Sequence, residues 1–242
     1  LNVLIYRLPR GLGFVKGRSF CPHCKNKIRW FDNVPLISFV LLRGRCHFCH
    51  SPISIRYPIV ELLTGIITVL IFNFKFLILN QFLILNFKNV LEFFLSLLLA
   101  WSLIAIFFID LEHQIIPDKI VLPLIIIFTI YAILTADYWL LLSAAGAFLF
   151  LFLIWLATKG KGMGFGDVKL AFLMGLVLGF PNIILAFYIA FLTGAALGII
   201  LILGRKAKFG KPIPFGPFLA FGTILSYLWG EKILKAAEKL LF

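Results

Sequence analysis

The sequence predicts an all-α polytopic membrane protein with a small extramembrane zinc-ribbon-like module, and three observations carry that expectation. Of 242 residues, 62% are hydrophobic and only 14% charged, against about 25% charged in an ordinary soluble domain, so the polar residues are too few to coat a water-facing globule. The apolar residues fall in runs that approach or exceed the roughly 20 residues needed to cross a bilayer. All four cysteines lie within residues 21–49, inside the one sizeable polar segment. The same apolar content excludes an intrinsically disordered chain.

The elements follow in order. Residues 1–6 are apolar, lack an initiator Met and run straight into Arg7-Leu8-Pro9-Arg10, so they read as the last turns of a first membrane helix whose upstream part is missing. Residues 7–56 form a loop-rich module holding ten of the 23 basic residues and one acidic residue, Asp32. Seven hydrophobic spans are expected near 57–78, 88–110, 119–136, 138–158, 168–180, 182–204 and 214–230, making a membrane core over 57–230. The fifth is too short to cross alone, so a re-entrant hairpin with the sixth around Pro181-Asn182 is the alternative. In the tail, 231–242, Ile233, Leu234, Ala237, Leu240 and Leu241 recur at helical spacing with lysines opposite. This amphipathic segment either lies on the outer membrane surface or extends the last span.

Orientation follows from the basic residues. With 7–56 inside, one side of the membrane carries 18 of them and the other five: Lys75, Lys88, Lys232, Lys235 and Lys239. The positive-inside rule then places the cysteine module in the cytoplasm. The net charge of +13 is thereby a property of cytoplasmic loops. Nucleic acid is a poor partner, because beyond Trp30, Phe31 and Phe48 the module offers no aromatic platform.

Cys21-Pro-His-Cys24 and Cys46-His-Phe-Cys49 are two Cys-x-x-Cys knuckles with 21 residues between them, close to the spacing of zinc ribbons. Redox dithiols or disulfides are the alternatives, and a reducing cytoplasm disfavours disulfides. Four thiolates fill a tetrahedral shell, so Zn2+ here would be structural. His23, His47 and His50 lie in the same module as alternative ligands.

A carboxylate near a bilayer needs a reason. Asp110 closes one span, and Asp118 opens the next, where capping of the helix start explains it. An anion at a helix C-terminus is disfavoured by the macrodipole, so Asp110 requires partners or a proton. Asp167 follows the glycines Gly160, Gly162, Gly164 and Gly166, whose alternation excludes helix and packed strand and lets the backbone approach something closely. Helix capping by Asp167 leaves those glycines unexplained. Two aspartates brought to one membrane face from different spans suggest aspartic protease chemistry: they share a proton, one activating water while the other polarises the scissile carbonyl.

Gly164-Phe165-Gly166-Asp167 is a Gly-x-Gly-Asp signature, and with it the chain resembles the type IV prepilin peptidases. The resemblance extends over Asn2-Val3 to Arg7-Leu8-Pro9, both cysteine pairs with Gly44-Arg45, Arg56-Tyr57-Pro58 to Glu61-Leu62, Asp110 to Ile116-Pro117-Asp118, and Ile213-Pro214-Phe215-Gly216-Pro217. It implies an eight-helix bacterial inner-membrane enzyme of type IV pili or type II secretion, removing the basic leader of prepilins or pseudopilins at the cytoplasmic face. It further implies Asp110 and Asp167 as the catalytic pair and Gly164 and Gly166 as the active-site loop. Cys21, Cys24, Cys46 and Cys49 match the branch that also methylates the new N-terminus from S-adenosylmethionine, an activity with which Gly44 is associated.

Three acidic residues are candidate substrate contacts. Glu61, about one turn into its span, calls for substrate or a loop arginine as partner, and Glu112 and Asp118 would attract a basic leader. His113 reads as an interfacial polar residue. Two rival functions remain from other classes. A proton- or ion-coupled transporter would place its aspartates near the midplane, and a non-catalytic assembly subunit would tolerate Asn at both.

Overall fold

Among the described residues, the long apolar runs become helices. The structure, a computed structural model, describes residues 1–13, 17–74, 87–204 and 213–241. Among these the regular elements are helical, and extended pairing is limited to isolated bridges, Phe20 with Lys27 and Arg45 with Pro52. Lys75 and the basic run at 205–211, both used in orienting the chain, lie wholly or largely outside the described residues.

The chain divides into two units, Leu1–Ala105 and Ile106–Phe242. The first holds α1 (Asn2–Arg7), α2 (Ile37–Leu41), α3 (Arg56–Phe72) and the first part of α4 (Phe87–His113). Helix α1 lies against the start of α3, with Ile5 and Val60 buried and the Asn2 amide donating to the Tyr57 carbonyl at 3.1 Å. The buried Arg7 guanidinium donates to the carbonyls of Gly13, Gly17 and Arg18 at 3.2, 3.5 and 3.1 Å. A guanidinium carries five donors in a fixed fork, so one side chain gathers the start of the module.

The second unit holds the end of α4 and then α5 (Asp118–Leu134), α6 (Tyr138–Ala157), α7 (Phe165–Leu178), α8 (Asn182–Leu203) and α9 (Gly216–Leu241). Helix α7 is central: it packs on α5, α6, α8 and α9, and nine of its 14 residues are buried. Beyond Asp167 and Lys169 near its start the helix is apolar all round, and such a helix belongs in a buried position. Gly175 makes the α6–α7 approach possible, since a Cβ there would lie 2.5 Å from the Ala144 Cα. Small residues let helix backbones touch and gain dispersion contacts where lipid supplies no hydrophobic drive.

The seven expected spans correspond to α3 through α9. Among the described residues three helices are long and apolar enough to cross a membrane, Lys88–His113, Tyr138–Ala157 and Asn182–Leu203. Helix α5 has 17 residues and α7 has 14, which at 1.5 Å per residue fall short of a hydrocarbon core of about 30 Å.

One local expectation changes. The glycine run does not exclude helix throughout, because α7 begins at Phe165 and includes Gly166. Helix α9 runs unbroken through Glu231 to Leu241, so the amphipathic tail is continuous with the last apolar helix.

Candidate active site and metal centre

Helix α4 ends one residue past Glu112, where Gln114 takes a left-handed conformation and its N–H donates to the Asp110 carbonyl at 2.8 Å. This leaves Asp110 in the last turn, 5% exposed. Its Oδ2 accepts the backbone N–H of Gly216 at 2.9 Å. Gly216 is the first residue of α9, so Asp110 sits at the end of one helix and against the positive end of another. That contact supplies the partner its position demands. A Cβ on Gly216 would lie 2.7 Å from the same oxygen, so glycine is what admits the carboxylate.

Asp167 is the third residue of α7. Its N–H donates to the Gly164 carbonyl at 3.1 Å, and its Oδ2 accepts the Gly164 N–H at 3.0 Å. Two terminal donors are thereby satisfied and the carboxylate is fixed at its own helix N-terminus. Asp167 is 6% exposed, and its Oδ1 is buried without a hydrogen-bond partner. A Cβ on Gly166 would lie 2.9 Å from the Ile116 Cβ, so the second glycine of the signature lets α7 close on the α4–α5 connection.

Both carboxylates line one cleft of about 400 Å³, together with Asp118, Lys161, Lys169 and the loop Gly160–Gly164, and they interact electrostatically. Asp118 is not the helix cap expected: Pro117 occupies that place. The Asp118 carboxylate instead pairs with Lys169 of α7, because Lys169 lies beside it across the cleft mouth.

The cysteines assemble separately, in the first unit. The two knuckles have the same backbone. The N–H of Cys21 donates to the Asn26 carbonyl at 3.0 Å, that of Cys46 to the Ser51 carbonyl at 2.9 Å, and Lys25 and His50 both take positive φ. The four Sγ atoms lie within 4.8 Å of one another, with those of Cys21 and Cys49 3.9 Å apart. Tetrahedral Zn2+ at about 2.3 Å from each sulfur needs S···S separations near ~3.8 Å, so the donors fit zinc. All four are free of disulfides. The Ser51 hydroxyl and backbone N–H hold the Cys49 thiol down at about 6, whereas at Cys24 the lowering hydrogen bond from the Asn26 backbone is outweighed by burial and the neighbouring cysteines, which push that thiol up to about 11. None of the three histidines joins this cluster. His47 instead lies 3.6 Å from Asp32 and 3.4 Å from Arg29.

Residues 1–74 match the bacterial peptidase A24 N-terminal domain, and residues 97–199 match the type IV leader peptidase family. A prepilin leader peptidase/N-methyltransferase of Legionella pneumophila is 34% identical, with 97% of this chain and 88% of the relative covered. The chain belongs to the type IV leader peptidase family. Proteins of the same description from Aeromonas hydrophila and Pseudomonas aeruginosa are 37% and 33% identical, covering 90% and 97% of this chain and 73% and 87% of their own. No solved structure matches.

Within this leader peptidase chain, the family match that contains both aspartates ends before Gly216. Gly216, which holds Asp110, and Lys169, which lines the cleft, are two residues that sequence reasoning left without a role. The Pro214-Phe215-Gly216-Pro217 run was the available signal, since glycine followed by proline at a span start marks a bare helix N-terminus. Gly44 turns the chain from α2 into the second knuckle at φ +67, where a Cβ would meet the Phe39 ring at 3.1 Å. Glu61, for which substrate or a loop arginine was expected as partner, accepts the Leu36 N–H at 2.9 Å and the Asn2 amide at 3.4 Å. Glu112 is exposed, 3.9 Å from His113, and lies outside the cleft lining.

Proposed function

We propose that this leader peptidase is a membrane aspartyl endopeptidase that removes the basic leader of type IV prepilins or pseudopilins, with Asp110 and Asp167 as its catalytic pair. The supporting observation is the meeting of two buried carboxylates in one cleft, each fixed through Oδ2 by a backbone N–H at a helix N-terminus. Such a pair holds one proton between its members. Asp167 Oδ1, buried and unpartnered, is the site for that proton and for the scissile carbonyl.

Ionised Asp110 takes a proton from water as the oxygen attacks the carbonyl carbon, while Asp167 donates its proton to the carbonyl oxygen. In collapse, Asp110 returns its proton to the leaving amine, Asp167 recovers its own, and the C–N bond breaks. The Gly160–Gly164 loop and Gly166 line the cleft and leave room for the substrate backbone.

The same reading takes α3 through α9 as the hydrophobic segments of a bacterial inner-membrane protein, the short α7 either crossing or forming a re-entrant hairpin with α8, with the aspartates and the tetracysteine module on the cytoplasmic side. Residues 21–49 would hold a structural Zn2+, which cross-links the two knuckles and leaves no open coordination position. Gly44 and this module would serve methylation of the new N-terminus, with S-adenosylmethionine as methyl donor. Glu112 and Asp118 would draw in the basic leader. Incubating the purified protein with a prepilin, with and without S-adenosylmethionine, and reading the product N-terminus by mass tests both activities. An unchanged prepilin would remove the peptidase reading, and a cleaved but unmethylated product would remove the second activity.

A further inference from the structure

Helix α2 is an apolar surface on an otherwise basic module. Val40 and Leu41 are 72% and 76% exposed, Ile37 is exposed beside them in sequence, and Trp30 is 80% exposed. Clustered apolar exposure of this kind marks a contact surface rather than scatter.

A hydrogen bond ties the start of α2 to α3. Leu36, the residue that starts α2, has φ +60, a conformation disfavoured for a bulky side chain. Its N–H is held by the Glu61 carboxylate at 2.9 Å. Glu61 stands five residues into α3, about 7.5 Å along the helix. Helix α3 opens with the Arg56 guanidinium 4.8 Å from the Tyr57 ring centroid, a basic and aromatic pair of the kind found at membrane interfaces. With α3 read as a span, this bond ties the start of α2 to α3 about where headgroups would give way to acyl chains, within the 5–10 Å reached by interfacial helices.

The exposed charge of the module is mostly basic, while two carboxylates lie close to α2: Glu61 accepts the Leu36 N–H, and Asp32 sits in the turn Phe31–Asn33 that packs against α2. Lys25, Lys27, Arg29, Arg43 and Arg45 are exposed, whereas Asp32, the module's one acidic residue, lies beside His47. Basic side chains flanking an apolar wedge complement an anionic lipid surface.

We propose that α2, with Trp30, inserts into the headgroup layer of an anionic bilayer beside α3, and that Glu61 sets the depth of this wedge. The proposal rests on reading α3 as a membrane span. It fixes the height of the cysteine module at the surface from which a prepilin N-terminus emerges.

The test uses the full chain in nanodiscs of phosphatidylcholine and phosphatidylglycerol. A photoreactive benzoylphenylalanine is placed in turn at Val40, Leu41, Val69 of α3 and Asn26, an exposed control, and adducts are identified by mass. Lipid adducts at Val40 and Leu41 at least about tenfold above Asn26 are expected for an inserted apolar face, falling when Glu61 is replaced in Glu61→Ala. Lipid adducts at Val69 with none above control at Val40 and Leu41 overturn the proposal alone. Adducts at Val40 to an added prepilin in place of lipid assign the face to substrate and overturn it equally. Absence of lipid adducts at Val69 removes the span reading of α3, and the proposal with it.

Discussion

The Asp110 carboxylate accepts the backbone N–H of Gly216 at 2.9 Å, across 106 residues of chain. An anion at the C-terminal end of α4 opposes that helix's dipole, and the N-terminus of α9 reverses the local sign. Gly216→Ala would force a Cβ into contact with Oδ2. Displacing a reacting group by about 1 Å costs on the order of 10²-fold in rate. Gly216→Ala is expected to lower kcat for leader cleavage by about that factor with KM little changed, measured by product mass against time, while circular dichroism keeps its helical signal.

Packing of α7 makes a separate prediction about stability. Gly175 lies against the Ala144 backbone without room for a methyl group. Gly175→Ala should destabilise the protein by about 1–3 kcal/mol through overpacking. Thermal unfolding in nanodiscs is the measurement, and an unchanged midpoint would mean that α6 and α7 do not approach so closely.

The cysteine module predicts a split between the two activities. Cys46→Ser leaves three of the four sulfur donors of the cluster. Metal analysis should fall from about one zinc per chain to near zero, with methylation of a pre-cleaved substrate reduced more than leader cleavage. Equal losses of both activities would tie the zinc module to the peptidase itself.

Charge near the cleft governs encounter more than stability. Asp118 and Lys169 form a partly exposed pair, and such pairs contribute roughly 0–1 kcal/mol. Neutralising Glu112 and Asp118 together is expected to raise KM for a basic-leader prepilin at low salt and to flatten its salt dependence, since screening acts on exposed charges. An unchanged KM–salt profile would show that neither carboxylate meets the leader.

What was legible in the sequence follows from how each signal arises. Apolar runs expose helices directly, and each expected span overlaps an observed helix because burial in lipid or protein leaves few polar interruptions. The Cys-x-x-Cys pairs were legible because each knuckle sets its two sulfur donors by local spacing alone, and the four Sγ atoms then meet within 4.8 Å. Asp110 and Asp167 stood out as carboxylates at the ends of apolar runs. The Gly216 N–H did not, because every residue but proline carries one and its aim depends on a contact between distant segments. Glu61 was visible as a costly charge, yet its partner is the backbone of Leu36, which no side-chain pattern announces. The start of α7 was misplaced by three residues because Asp167 supplies the terminal acceptor that lets Gly166 join the helix.

The central claim is that Asp110 and Asp167 form the catalytic pair, and its most direct measurement is leader cleavage by Asp110→Asn and Asp167→Asn. Both variants keep the side-chain volume, and circular dichroism checks that they fold. Each is predicted to lose at least about 10²-fold in cleavage rate, the contribution of a general acid or base. Cleavage by either folded variant within about tenfold of the parent rate, short of that range, would contradict the aspartyl pair.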